Sequence, residues 1–334
     1  MVIGDQLVLI PAISFYNNFK QLFSMSFVDV VVPIFGLMLV GWVLKSMGIF
    51  PEWLVRLVND YVYYIGISVI TFLSLHATDK RLLLDPWIYA LNLIPIATIM
   101  VIAFTVARLL KLNRLAIPVF ITCAFFGNTA YIGFPLNASV QGSNSLGMTA
   151  FISTFYTIVV FTIGALLFQH YAGKKSAITA DLSLFAQGRK MVLGLVKIPI
   201  IWATLLGLAL SWMVIPDLIR MPMDLISIST SPLALLATGA MISGSGFREH
   251  WKELGALSIL KLAVMPGIVI LMGLLMSRSG PIYSTSLLEA ATPVGVTNAV
   301  LAEQYKADKK LASSAVVVST LLFVVTLIIV LIFV

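Results

Sequence analysis

Residues 289–298 read Glu289-Ala290-Ala291-Thr292-Pro293-Val294-Gly295-Val296-Thr297-Asn298, in the middle of a run apolar enough to cross a bilayer. A proline there removes a backbone donor and clashes with the preceding turn. Gly295 lowers the cost of leaving helical geometry. The carbonyls so freed need partners, and lipid supplies none. Such a break is tolerated where it is buried in protein or lines a wet cavity. A second stretch, Gly127-Asn128-Thr129-Ala130-Tyr131-Ile132-Gly133-Phe134-Pro135-Leu136, has the same ingredients. Proline and glycine are common in membrane helices and usually only kink them. Two interruptions that each carry an asparagine make a stronger pattern, because an amide both donates and accepts and can hold an anionic oxygen or a cation.

The rest of the chain fits a membrane setting. Of its 334 residues 60% are hydrophobic and 10% charged, and the mean hydropathy is +1.04. A soluble domain carries roughly 25% charged residues. In hydrocarbon every backbone polar group must be bonded within the chain, which leaves helices or closed barrels. Continuous runs such as Leu321 to Val334 fit helices and not the alternation of a barrel strand. The reading is an all-α membrane protein of ten transmembrane helices.

Span 1 covers 27–44, span 2 57–75, span 3 87–110, span 4 115–140 and span 5 146–168. Span 6 covers 198–214, span 7 223–243, span 8 254–276, span 9 282–303 and span 10 311–333. Residues 1–26 read as an N-terminal interfacial segment, since they lack a basic leader and contain Asp5. Residues 170–197 form a polar cytoplasmic linker. It separates a first five-helix repeat, 27–169, from a second, 198–334. An odd number of spans per half makes the second half enter from the opposite side, the layout of an inverted-topology repeat. The interrupted span is the fourth in each half.

The basic residues test this map. Sixteen of the 21 Lys and Arg side chains, Lys261 among them, fall with the loops after odd-numbered spans. The positive-inside rule puts those loops in the cytoplasm and both termini outside. The net charge of +7 is spread between apolar spans and forms no patch for nucleic acid. The single cysteine, Cys123, allows no disulfide within the chain. Three scattered histidines give no metal site. No phosphate-binding loop and no catalytic constellation is present, so neither an enzyme nor a cofactor is expected.

The candidate substrate-binding residues are Asn128, Tyr131, Gly133, Pro135, Pro293 and Asn298, with Gln141 beside them. Glu289, about one turn before Pro293, is a candidate for ion or proton coupling, because an acidic residue at that depth must face protein or water. Asp60, near the start of span 2, is a second candidate, read against pairing with a nearby base. Lys261 is expected to snorkel to the interface, and Glu303 to lie at the surface beside Lys306.

At these residues the sequence resembles the auxin efflux carrier family. Val32-Pro33-Ile34-Phe35-Gly36 through Gly48 resembles the family's first span. Asn128 through Leu136 resembles its fourth, Ser231-Pro232-Leu233-Ala234-Leu235 its seventh, Lys261 with Pro266 its eighth, and Ala290 through Tyr305 its ninth. The resemblance implies a five-plus-five inverted repeat in which spans 4 and 9 cross at their breaks. It also implies a scaffold of spans 1, 2, 6 and 7, and a transport domain of spans 3–5 and 8–10. Similar proteins move organic anions, auxin in plants and malate or malonate in microbes, and homodimers are known in the plant branch. This chain reads Tyr64-Ile65-Gly66-Ile67-Ser68 where a span 2 proline is frequent, has Asn298 where the plant branch often has proline, and lacks the long plant-type loop. It therefore looks like a microbial-type member. The expected function is alternating-access transport of small organic anions across the cell membrane. The alternatives are a sodium-coupled bile-acid-type carrier, with Asn128 and Glu289 as sodium ligands, and a membrane sensor that binds without transporting.

Overall fold

A computed structural model describes residues 27–172, 194–242 and 249–334. The expected interfacial segment 1–26 and most of the linker lie outside the described residues. All regular structure in the described residues is helical. Its one β pairing is a single antiparallel bridge, Gly127 with Val294.

Among the described residues, seven helices are long and apolar enough to cross a membrane. They are α1 (Asp29–Ser46), α2 (Glu52–Ala77), α3 (Pro86–Leu109), α6 (Ser143–Tyr171), α8 (Asp217–Ala240), α9 (Trp251–Leu275) and α12 (Lys309–Leu331). The remaining expected spans are shorter. Span 4 is two pieces, α4 (Ala116–Phe125) and α5, which begins as a wide π turn (Thr129–Gly133) and continues as Phe134–Gln141. Span 6 is the 11-residue α7 (Pro199–Ala209). Span 9 is α10 (Pro281–Ala291) and α11 (Thr297–Gln304). Large apolar side chains such as Val101, Leu271 and Val325 stand exposed on the outer faces of α3, α9 and α12. Only lipid can cover so much apolar surface, and the protein is a multi-pass integral membrane protein.

Local chemistry sets the helix starts. The carboxylates of Asp85 and Asp308 accept from the backbone N–H of Trp87 and Leu311, at 2.9 and 3.0 Å, and so cap α3 and α12. Pro86, Pro199 and Pro281 open their helices, where a missing N–H costs nothing. Two helices start earlier than expected, α2 at Glu52 and α8 at Asp217, each directly after a proline. Pro33, Pro95, Pro222 and Pro232 lie inside continuous helices, so proline alone does not break a span here. Pro135 also fails to mark the break of span 4. The chain leaves helical geometry at Phe126–Asn128, and the wide turn Thr129–Gly133 then admits Pro135 into the start of the following helix.

The helices pack in two groups. In one, α1 lies against α8, α8 against α2, and α2 against α7. The α1–α8 contact is a backbone approach: a Cβ on Gly41 would stand 2.1 Å from the Leu236 carbonyl oxygen, and one on Gly239 would stand 1.9 Å from that of Met38. Small residues permit such contact in membranes, where dispersion and not water expulsion holds helices together. In the other group α3, α4, α9, α10 and α12 pack on one another, and α6 lies between the groups, against both α2 and α10.

Candidate functional site

The two interrupted stretches meet. At Phe126 and Thr292, where α4 and α10 end, the backbone leaves helical geometry, with ψ of 101° and 144°. The backbone N–H of Asn128 donates to the Pro293 carbonyl at 2.7 Å, and that of Gly295 donates to the Phe126 carbonyl at 3.0 Å. Val294 N–H donates to Ser319 Oγ on α12 at 2.9 Å. Each break thus supplies the hydrogen bonds that the other lost by leaving the helix. The approach demands glycine: a Cβ on Gly127 would stand 2.2 Å from Thr292 Oγ1, and one on Gly295 would stand 2.7 Å from the Gly127 carbonyl oxygen.

Asn298 fastens this junction. Its Nδ2 donates to the carbonyls of Phe126 (3.1 Å) and Gly295 (3.0 Å), and its Oδ1 is buried without a partner. Asn128 behaves differently. It is 4% exposed, and its Nδ2 has no acceptor.

A pocket opens beside the junction. Asn128, Thr129, Ala130 and Tyr131 line it from the start of α5, and Gly295, Val296 and Thr297 from the start of α11. Tyr63, Ile67, Ile198 and Ile200 face them, with Thr157 and Phe161 of α6. The first N–H groups of a helix have no intrahelical acceptor, and each helix start carries roughly half a positive charge. Two such starts and a spare amide nitrogen share one pocket whose other wall is largely apolar. That arrangement suits a small anion with an apolar body.

Most of the other expected residues lie off this pocket. Tyr131 lines it, and its hydroxyl donates to the Asn59 carbonyl at 3.4 Å. Asp60, next along α2, is exposed and has no ion pair among the described residues. Pro293 contributes its carbonyl to the junction and does not line the pocket. Pro135 is buried. Gly133 is buried against a carboxylate: a Cβ on it would stand 2.3 Å from Glu289 Oε1. Glu289 is 0% exposed. Its Oε1 accepts from Asn137 Nδ2 at 2.9 Å and its Oε2 from Ser153 Oγ at 3.4 Å. Gln141, at the far end of α5, donates to Asn137 Oδ1 and Thr285 Oγ1 and lies away from the pocket. Glu303 is at the surface as expected, but its ion pair is with Lys309 at 2.8 Å and not with Lys306.

The main correction concerns Lys261. It does not snorkel. It is 0% exposed and sits in a π turn, Leu260–Val264, within α9. Its Nζ donates to the Ala290 carbonyl at 2.9 Å and the Phe125 carbonyl at 3.4 Å, and touches Met265 Sδ at 3.4 Å. Those carbonyls belong to the last turns of α10 and α4. A helix end presents unsatisfied carbonyls and roughly half a negative charge, and one ammonium answers both ends. The sequence signal was a lysine set deep in the apolar run 254–276, but its partners come from two other spans.

The sequence matches the family described as membrane transport protein over residues 26–331. An uncharacterized transporter of Methanothermobacter thermautotrophicus is 26% identical over 306 residues, which cover 90% of this chain and 95% of the relative. The transporter YfdV of Escherichia coli K12 is 23% identical over 306 residues, 90% of this chain and 95% of the relative. A protein of Rhizobium meliloti that bears the name "Putative malonate transporter" is 23% identical over 303 residues, 89% of this chain and 92% of the relative. The matched family is one of transporters and not of enzymes, and a match of this length decides membership: the chain belongs to the membrane transport protein family, that of the auxin efflux carriers.

Proposed function

We propose that this membrane transporter moves small organic anions, carboxylates of malonate, malate or auxin-like size, by alternating access. The observation that carries the proposal is the meeting of two helix N-termini on one pocket. Asn128 to Tyr131 open α5, and Gly295 to Thr297 lead into α11. A carboxylate there would accept from backbone N–H groups and the Asn128 amide while its carbon skeleton lies on Ile67, Phe161, Ile198 and Ile200. Among the described residues no cationic side chain lines the pocket, so the two helix starts supply its positive potential. The name of the Rhizobium meliloti relative puts malonate first among the anions to test.

The pocket also lies between the two packed groups. Tyr63, Ile67, Ile198 and Ile200 come from the side of α2 and α7, and the helix starts come from the other. In the proposed cycle α1, α2, α7 and α8 form the scaffold. The remaining helices carry the pocket past it, as halves 27–169 and 198–334 of an inverted ten-span repeat with both termini outside the cell membrane.

The test is counterflow of labelled malonate and indole-3-acetate in liposomes holding the purified protein, with and without a sodium gradient. Saturable exchange that Asn128→Ala weakens is expected. Binding without exchange would make the chain a sensor, and unchanged affinity in Asn128→Ala would remove the pocket from the pathway.

A further inference from the structure

Two helix C-termini converge on one buried point. The last carbonyls of α4 and α10 leave their helices just before Gly127 and Thr292. Together their dipole ends amount to roughly one negative charge. Buried in a membrane, that charge and those carbonyl oxygens need a cation. In secondary transporters with broken helices, half-helix ends and unwound carbonyls commonly coordinate a sodium ion or a proton. Here the Lys261 ammonium holds the position, 2.9 Å from the Ala290 oxygen and 3.4 Å from the Phe125 oxygen.

The surroundings are shaped to it. A Cβ on Gly127 would stand 2.9 Å from Nζ, so glycine leaves the space that the ammonium fills. The π turn Leu260–Val264 places Lys261 on the inner side of α9, and Met265 Sδ lies against its head. The other ionisable side chain buried in this interior is Glu289, whose oxygens are held by Asn137 and Ser153. No direct ion pair joins the two groups, so Lys261 is oriented by the helix ends and not by Glu289.

We propose that the Lys261 ammonium is a resident cation of the junction, filling between the carbonyl ends of α4 and α10 the place of a bound monovalent ion, and that it makes this transporter independent of sodium. Lys261 is a positioning residue: it holds the junction from behind, while the pocket lies on the opposite, N-terminal side of both breaks. The inference shares the junction with the proposed carboxylate site, but its primary readout is cation binding and does not depend on which anion is carried.

The experiment compares the wild type with Lys261→Ala, purified in detergent, by thermal melting in choline, sodium or methylammonium chloride at equal ionic strength. The wild type should melt alike in choline and sodium. The variant should melt lower in choline and rise in a saturable way with sodium or methylammonium, which can enter the vacated space. In liposomes its malonate counterflow should fall about tenfold or more in choline, as expected for losing a charged partner of two buried carbonyls, and should recover several-fold with the rescuing cation. Recovery of folded variant only when it is purified in sodium or methylammonium supports the proposal equally. A sodium requirement in the wild type overturns it. So does a Lys261→Ala protein indifferent to every cation, whether active, inactive or unrecoverable in all three salts. If the wild type moves no carboxylate at all, the proposed substrate class fails while the melting comparison still decides the role of Lys261.

Discussion

Gly133 and Glu289 are in direct contact across two elements: a Cβ on Gly133 would stand 2.3 Å from Oε1 and 2.8 Å from Oε2 of the carboxylate. The glycine is therefore required for its lack of a side chain and not for lining the pocket. It lets a fully buried carboxylate reach Asn137, one turn further along α5. Gly133→Ala should push the carboxylate off Asn137 and lower stability by about 1–3 kcal/mol. Gly36→Ala is the control, because a Cβ there meets nothing within 4 Å. Melting temperatures of the two variants check the contrast, and equal melting would mean that Glu289 relocates freely.

The same carboxylate supports a double-mutant cycle. Asn137→Leu removes its 2.9 Å donor and should cost about 1–3 kcal/mol, since a buried acceptor is left short of a partner. Glu289→Gln keeps an oxygen for Asn137 and should cost less. In the combined variant the costs should be non-additive by about 1 kcal/mol, as for residues in one network. Denaturant or thermal unfolding of the four proteins measures this, and strict additivity would separate the two residues.

Ser319 offers a cleaner case. Its Oγ accepts the Val294 N–H at 2.9 Å, a donor that the broken helix cannot satisfy. Ser319→Ala should cost about 1–3 kcal/mol for an orphaned buried N–H. Thr326→Ala, on the same helix with bonds only to its own preceding turn, should be close to neutral. Melting curves of both give the comparison.

These contacts also show what could be read from sequence. Composition and apolar runs dictate helices in lipid, and the quoted segments carry the family likeness, because both are local properties. The position of the first break is not local. Pro135 is the strongest breaker in its span, yet Pro33, Pro95, Pro222 and Pro232 sit in unbroken helices. Helical geometry ends instead at Phe126–Asn128, where a second chain segment and Lys261 take up the freed groups. Around Pro293 the proline and the pairing coincide, so there the sequence marks the interruption itself. The burial of Lys261 escapes the sequence for the same reason: snorkelling is the default for a lone lysine on an apolar helix, and the buried acceptors come from the meeting of α4 with α10.

The two asparagines, indistinguishable as sequence signals, should separate in experiment. Asn298 makes two hydrogen bonds that tie Phe126 to Gly295. Removing both should lower stability by about 1–3 kcal/mol in Asn298→Ala, with a fall in transport that follows the loss of folded protein. Asn128 spends no side-chain donor on the fold, since its Nδ2 has no acceptor. Asn128→Ala should therefore melt within about 0.5 kcal/mol of the wild type yet bind carboxylate roughly tenfold more weakly, the loss of one hydrogen bond to a charged group. Melting temperature and counterflow KM, measured on the same preparations, check both. If Asn128→Ala lost stability and kept its affinity, the amide would belong to the junction and the pocket would have to recognise its anion through the helix starts alone.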